Sequence, residues 1–297
     1  MNDPSSLNRR RFLQRSLALA AALRIADARA AEPVKPAAPA ARRIIDANVY
    51  LDRWPFRRVR LDDTAKLVEK LRQQRVAEAW AGSFDGLLHK DIAEVNARLA
   101  GQCREHGAGI LKPFGTINPT LPEWEEDARR CAEVHRMPGI RLHPNYHGYT
   151  LDDPRFAEVL KVATSHRLAV QLVLAMEDER TQHLLMRVPN VDITPLPRAL
   201  EAAPGARVML LNWPRVAGKP VLFTLQSTNV VFDVAMLEGI AGIEATLEEL
   251  PIERLCFGSY APVFYHESAT LKLQESALDE AQLTAITHAN ARRFLAA

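Results

Sequence analysis

Cysteine is scarce in this chain: Cys103, Cys131 and Cys256 are the only three in 297 residues, with no CxxC and no Cys/His pair at metal spacing. That excludes a disulfide framework and a cysteine-based zinc module. Cys103 and Cys131 fall in helical patterns and Cys256 in an apolar strand, so all three read as buried thiols. Long apolar runs are also missing; none reaches the roughly 18 residues of a membrane span. Nor is there an excess of one charge, with 38 basic against 36 acidic residues. Six of the arginines and two of the aspartates lie in residues 1–30. Without them the chain carries 32 basic and 34 acidic residues, which argues against a nucleic-acid partner. No internal repeat or low-complexity core segment interrupts the rest, so one domain is expected.

What is present first is a leader. Asn8-Arg9-Arg10-Arg11-Phe12-Leu13-Gln14 resembles the twin-arginine translocation motif, and the apolar run Leu17–Leu23 and Ala28-Arg29-Ala30 follow it. Residues 1–30 are therefore expected to be a cleavable signal read by the twin-arginine export machinery, with a periplasmic mature protein. Residues 31–42, rich in Ala and Pro, read as a flexible lead-in.

From residue 43 to 297 strand and helix alternate. Apolar strands are expected at 43–50, 76–82, 110–117, 139–143, 168–174, 207–211, 229–234 and 254–258. Helices follow at about 62–75, 90–106, 122–135, 154–166, 195–203, 221–226, 243–250 and 278–295. Repeated βα units with near-continuous apolar strands mean a parallel sheet, and eight of them close as a (β/α)8 barrel. Chemistry in such a barrel sits where strands end at the C-terminal mouth.

The stretch Gly139-Ile140-Arg141-Leu142-His143-Pro144-Asn145-Tyr146-His147-Gly148-Tyr149 carries the densest set of proton-handling groups at such an end. His143 and His147 are the expected acid/base pair, with ordinary pKa values near 6.5. The Pro-Asn-Tyr between them reads as non-helical loop, and a solvated loop with incidental histidines is the alternative.

Several segments in order resemble the amidohydrolase-related branch of the amidohydrolase superfamily, which holds metal-dependent hydrolases and decarboxylases. They are Ile45–Tyr50, Gly139–His143, Arg207–Asn212, Phe257–Pro262 and Asn290–Leu295, so the resemblance spans about residues 43–296. It implies metal ligands in a His-x-His on strand one, a His on strand five and an Asp on strand eight, with a further His on strand six. Here those places hold Asn48 and Tyr50, Val173-Leu174-Ala175, Tyr260 and Asn212. Amide and neutral phenol are poor donors for Zn2+. No cofactor is therefore expected, and zinc enters only if a site is relocated to His143, His147 and His89.

The expected reading is a hydrolase or lyase of a small organic molecule. His143, His147, Tyr260 and Asp233 are its catalytic candidates. Asn48, Tyr50, Arg141, Asn145, Glu177, Asn212 and His89 are its substrate-binding candidates. Arg57 and Arg58 are further candidates for holding a carboxylate. A pseudoenzyme that only binds a ligand or partner is the alternative, and a homo-oligomer stays open.

Overall fold

The computed structural model describes residues 43–178, 180–213, 225–239 and 241–297. The expected leader and lead-in, and residues 221–224 of an expected helix, lie outside them. Eight strands pair in chain order as one parallel sheet: β1 (Ile44–Leu51), β2 (Val76–Ser83), β3 (Leu111–Thr116), β4 (Gly139–Leu142), β5 (Ala169–Val173), β6 (Val208–Leu211), β7 (Val231–Asp233) and β8 (Leu255–Cys256). The ring closes through a parallel bridge between Val49 and Ala261, with Ala47 N donating to Phe257 O and Tyr260 N to Asn48 O. The (β/α)8 barrel is thus observed.

Strands form where the sequence is continuously apolar, because both faces are covered. Inside the barrel Tyr50, Trp80, Phe114, Val173, Met209 and Tyr260 pack together. Outside, Ile140, Leu172, Leu210 and Phe232 pack against the helices. Helices start where a short acidic side chain can accept an orphan N–H. Asp63 accepts from Lys66 N (2.9 Å) and Asp91 from Glu94 N (3.0 Å). Asp153 accepts from Arg155 N (2.9 Å), with Pro154 beginning that helix. Cys103, Cys131 and Cys256 are free and buried, as expected.

Two local expectations are corrected. Pro144–His147 forms one helical turn, with His147 N bonded to His143 O (3.0 Å) and Gly148 closing it at φ 73°. The last helix is not continuous; a π segment, Ala285–Ala289, interrupts it, and there Ile286 O accepts from Phe257 N (2.8 Å) on the way out of β8. Among the described residues no helix is long and apolar enough to cross a membrane.

Candidate active site at the barrel mouth

Parallel strands in a closed ring deliver all their C-terminal ends to one rim, so residues far apart in sequence meet there. Asn48 on β1 donates its amide to Asn212 Oδ1 (2.7 Å) after β6 and to Asp233 Oδ2 (2.6 Å) on β7. Asn212 N in turn donates to Asp233 Oδ1 (3.0 Å), and Asn212 Nδ2 to Ala175 O (2.8 Å). Burial pushes the Asp233 carboxyl up to about 6 in spite of these bonds. Asn212 and Tyr260 both hold left-handed backbone, φ 57° and 58°. Non-glycine residues held there are strained, and such strain gathers at functional sites.

One layer up, Tyr50 OH lies 2.9 Å from His143 Nε2. Phe84 stacks on the Tyr50 ring at 4.6 Å, and the Arg141 guanidinium carbon lies 4.4 Å from its centroid. His147 Nε2 donates to Gly86 O (2.9 Å). The helical turn puts the two imidazoles 5.8 Å apart, centroid to centroid. The Nδ1 atoms of both are buried without a partner. Burial lowers both histidines, His143 well below 6.5, with the charges of His147 and Arg141 adding to the effect. The ordinary pKa expected from the sequence is thereby corrected: both rings are neutral near pH 7. Burial also pushes the Tyr50 phenol up to about 12, against the opposing pull of Arg141.

The chain after β5 covers this layer. Tyr260 OH donates to Met176 O (2.8 Å), and the Met176 sulfur lies 3.7 Å from Tyr50 OH and 3.6 Å from Tyr260 OH. Next to it Glu177 Oε1 accepts from Arg57 Nε (3.0 Å). Tyr50, His143, Asn48, Asn212, Asp233 and Tyr260 are all fully buried beneath.

Other candidates sit elsewhere. Arg141 is no substrate clamp: its guanidinium is consumed inside the barrel by Gln171 Oε1, Val49 O and Trp80 O. His89 is half exposed, 4.0 Å from Asp85. Asn145 bonds Pro189 O (2.9 Å) at the surface, bracing the loop after β5. Arg58 pairs with Asp62 (3.5 Å). In the same loop as Arg57 and Arg58, Trp54 is part of the core, packed on Phe56 and Phe84.

Sequence reading missed one residue and one pairing. Met176 carries no polar atom that would mark it as part of a site. Asp46 and His266, 220 residues apart, face each other at 3.8 Å with Asp46 Oδ2 and His266 Nε2 both unpartnered. Only the closure of β8 onto β1 brings them together.

No curated protein matches the chain. Solved structures do, as folds. IDCase of Metarhizium anisopliae superposes with a TM-score of 0.65 at 17% identity, covering 86% of this chain and 97% of that one. The 5-carboxyvanillate decarboxylase LigW of Sphingomonas paucimobilis gives 0.65 at 14%, covering 86% and 99%. A 2,6-dihydroxybenzoate decarboxylase from Rhizobium gives 0.64 at 13%, covering 84% and 99%. The pseudoenzyme alternative gains no support from them.

A related 5-carboxyvanillate decarboxylase, from Novosphingobium aromaticivorans, is solved with manganese. That corrects the expectation of no cofactor: a divalent metal is what this fold leads one to expect. The donors at this mouth, as arranged, do not suit that ion. They are amides, phenols and imidazoles, Asp233 already accepts from two residues, and among the described residues no group of three or more His, Cys, Asp or Glu could hold a metal. The amidohydrolase family profile matches residues 45–296, nearly all of the barrel just described, and the chain belongs to the amidohydrolase family.

Proposed function

We propose that the chain is a lyase of the amidohydrolase superfamily that decarboxylates a small, hydroxylated aromatic or similarly activated acid, with His143 as its proton carrier. The observation that carries this is the 2.9 Å contact of Tyr50 OH with His143 Nε2 at the C-terminal rim, with His143 Nδ1 left unpartnered. If Tyr50 donates, the His143 proton resides on Nδ1. Loss of CO2 breaks the C–C bond and leaves its electron pair on substrate carbon. Nδ1–H gives that carbon a proton, and the Tyr50 proton passes to Nε2. The resulting phenolate lies under the Arg141 guanidinium, 4.4 Å from the ring centroid. The catalytic actions of solved neighbours on 5-carboxyvanillate and 2,6-dihydroxybenzoate support the class of substrate.

The test is CO2 release from a panel of hydroxybenzoates, with and without added manganese, alongside ester and lactone hydrolysis. His143→Gln should cut turnover by at least about 10²-fold, the lower bound for positioned proton transfer. Since His143 is fully buried, thermal unfolding of the variant is measured in parallel. Full turnover per folded molecule in His143→Gln would remove the histidine from the mechanism. The leader reading also stands as a proposal: residues 1–30 direct twin-arginine export to the periplasm, so Arg9→Lys with Arg10→Lys should hold the precursor in the cytoplasm.

A further inference from the structure

β1 and β5 are four places apart in a ring of eight, so they face each other across the barrel. The pair Arg57–Glu177 joins the loops that follow these two strands, and therefore bridges the mouth. Below it Met176 lies against Tyr50 and Tyr260, and His143 is sealed from solvent.

The cations near the rim differ in what they have left to offer. Arg141 is saturated by acceptors inside the barrel. Lys272 Nζ is directed to Val234 O (3.1 Å) and Ala235 O. Arg180 is forked onto Asp178. Arg57 makes one bond among the described residues, from Nε, and its side chain is 50% exposed while Glu177 is only 7% exposed. An arginine engaged through Nε alone still has Nη donors for a second carboxylate. The partner that would be displaced is itself a buried carboxylate, near enough for its charge to raise the Tyr260 and Tyr146 phenols.

We propose that Arg57 is the carboxylate-recognition residue of this mouth, and that Glu177 holds the place of a ligand's carboxylate while no ligand is bound. Entry is then an exchange of one carboxylate for another. The organic acid takes Arg57, Glu177 swings to water, and Met176, its neighbour in the chain, moves off Tyr50 and Tyr260. A half-exposed ion pair is weak, so the exchange is easily reversed. The substrate class follows: small organic acids, selected over neutral molecules of the same shape. This rests on the proposed function for what happens after entry, but not for the binding itself.

The experiment uses benzoate as probe and benzamide as its neutral counterpart, titrated calorimetrically into the full mature chain at low ionic strength. Glu177→Gln removes the internal competitor and should tighten benzoate about two- to fivefold, the scale of a weak ion pair. Arg57→Gln should weaken it by about tenfold or more, and Arg57→Lys should fall between, since it keeps charge without the fork. Benzamide should not distinguish the four proteins. Benzoate that binds none of them, or binds all alike, overturns the proposal. Thermal unfolding of each variant guards against misfolding, which the exposure of Arg57 makes a small concern. Benzoate binding that follows Arg57 and Glu177 while no acid is turned over would sink the lyase reading and leave this one standing. Turnover that depends on His143 while benzoate ignores Arg57 would do the opposite.

Discussion

A carboxyl group sealed in the barrel wall, Asp46, couples folding to pH. Asp46 accepts from Asn48 N (3.1 Å) and Ser259 N (2.9 Å) on one oxygen, and turns the other towards His266 with no partner. Burial outweighs those bonds and pushes it up to about 7 from 3.8, with the nearby charge of Asp233 adding to the rise. Between about pH 4 and 7 the folded chain therefore holds a proton that the unfolded chain releases. Stability falls as pH rises through that window, by about 1.4 kcal/mol per unit for one group. Asp233, raised to about 6, acts in the same sense. His266 acts in the other: burial lowers it to about 4 from 6.5, so its contribution is lost as pH falls. Asp46→Asn keeps an oxygen for the two N–H donors and removes the ionisation. Its melting temperature relative to the parent should rise by several degrees from pH 5 to pH 8. A difference that stays constant with pH would show that Asp46 ionises freely in the fold.

At the scale of elements, the turn Pro144–His147 decides how the two histidines meet. It is closed by Gly148 at φ 73°, and a Cβ added there would touch nothing within 4 Å. Gly148→Ala should therefore cost about 1 kcal/mol through backbone strain alone, read as a shift in the urea midpoint. A much larger loss would mean that the turn fails to form. This turn was hidden in the sequence because Pro and Asn read equally as loop, whereas the strands and the capped helices were legible. Continuous apolar runs mark β1 to β6 to within about two residues, and Asp63, Asp91 and Asp153 mark helix starts. The short strands β7 and β8 were overcalled: Asn229–Val230 lie ahead of the paired stretch of β7, and Phe257–Gly258 continue past that of β8. Asn48, Tyr50, His143, Asn212, Asp233 and Tyr260 could be named in advance because parallel closure sends every strand end to one rim. Glu177 could be named too, but the closure of Met176 and Glu177 over that rim rests on contacts more than 80 residues away in sequence, which no local pattern records.

For the molecule as a whole, the fully buried Arg141 links opposite parts of the ring. Its guanidinium runs from β4 to Val49 O (2.9 Å) on β1, Trp80 O (3.0 Å) on β2 and Gln171 Oε1 (2.7 Å) on β5. Gln171 Nε2 continues the link to Ala47 O (2.7 Å). Gly82 leaves room for it, since a Cβ there would lie 2.7 Å from an Arg141 nitrogen. The register of β1 on β2 shifts between Asp46 and Val49, and the carbonyls of Ala47 and Val49 in that stretch are the ones these side chains satisfy. The charge has neutral oxygens and the Tyr50 ring around it, with no carboxylate bonded to it among the described residues, so it relies on every one of these bonds. Arg141→Met leaves three buried acceptors unpaired and should cost about 3–5 kcal/mol in denaturant unfolding. Gln171→Met strands both the guanidinium and Ala47 O and should cost a similar amount. Because they share the Arg141–Gln171 bonds, the double variant should cost at least about 1 kcal/mol less than the two losses added. Strict additivity would mean that the two residues stabilise separate halves of the barrel, and that no brace joins β4 and β5 to β1.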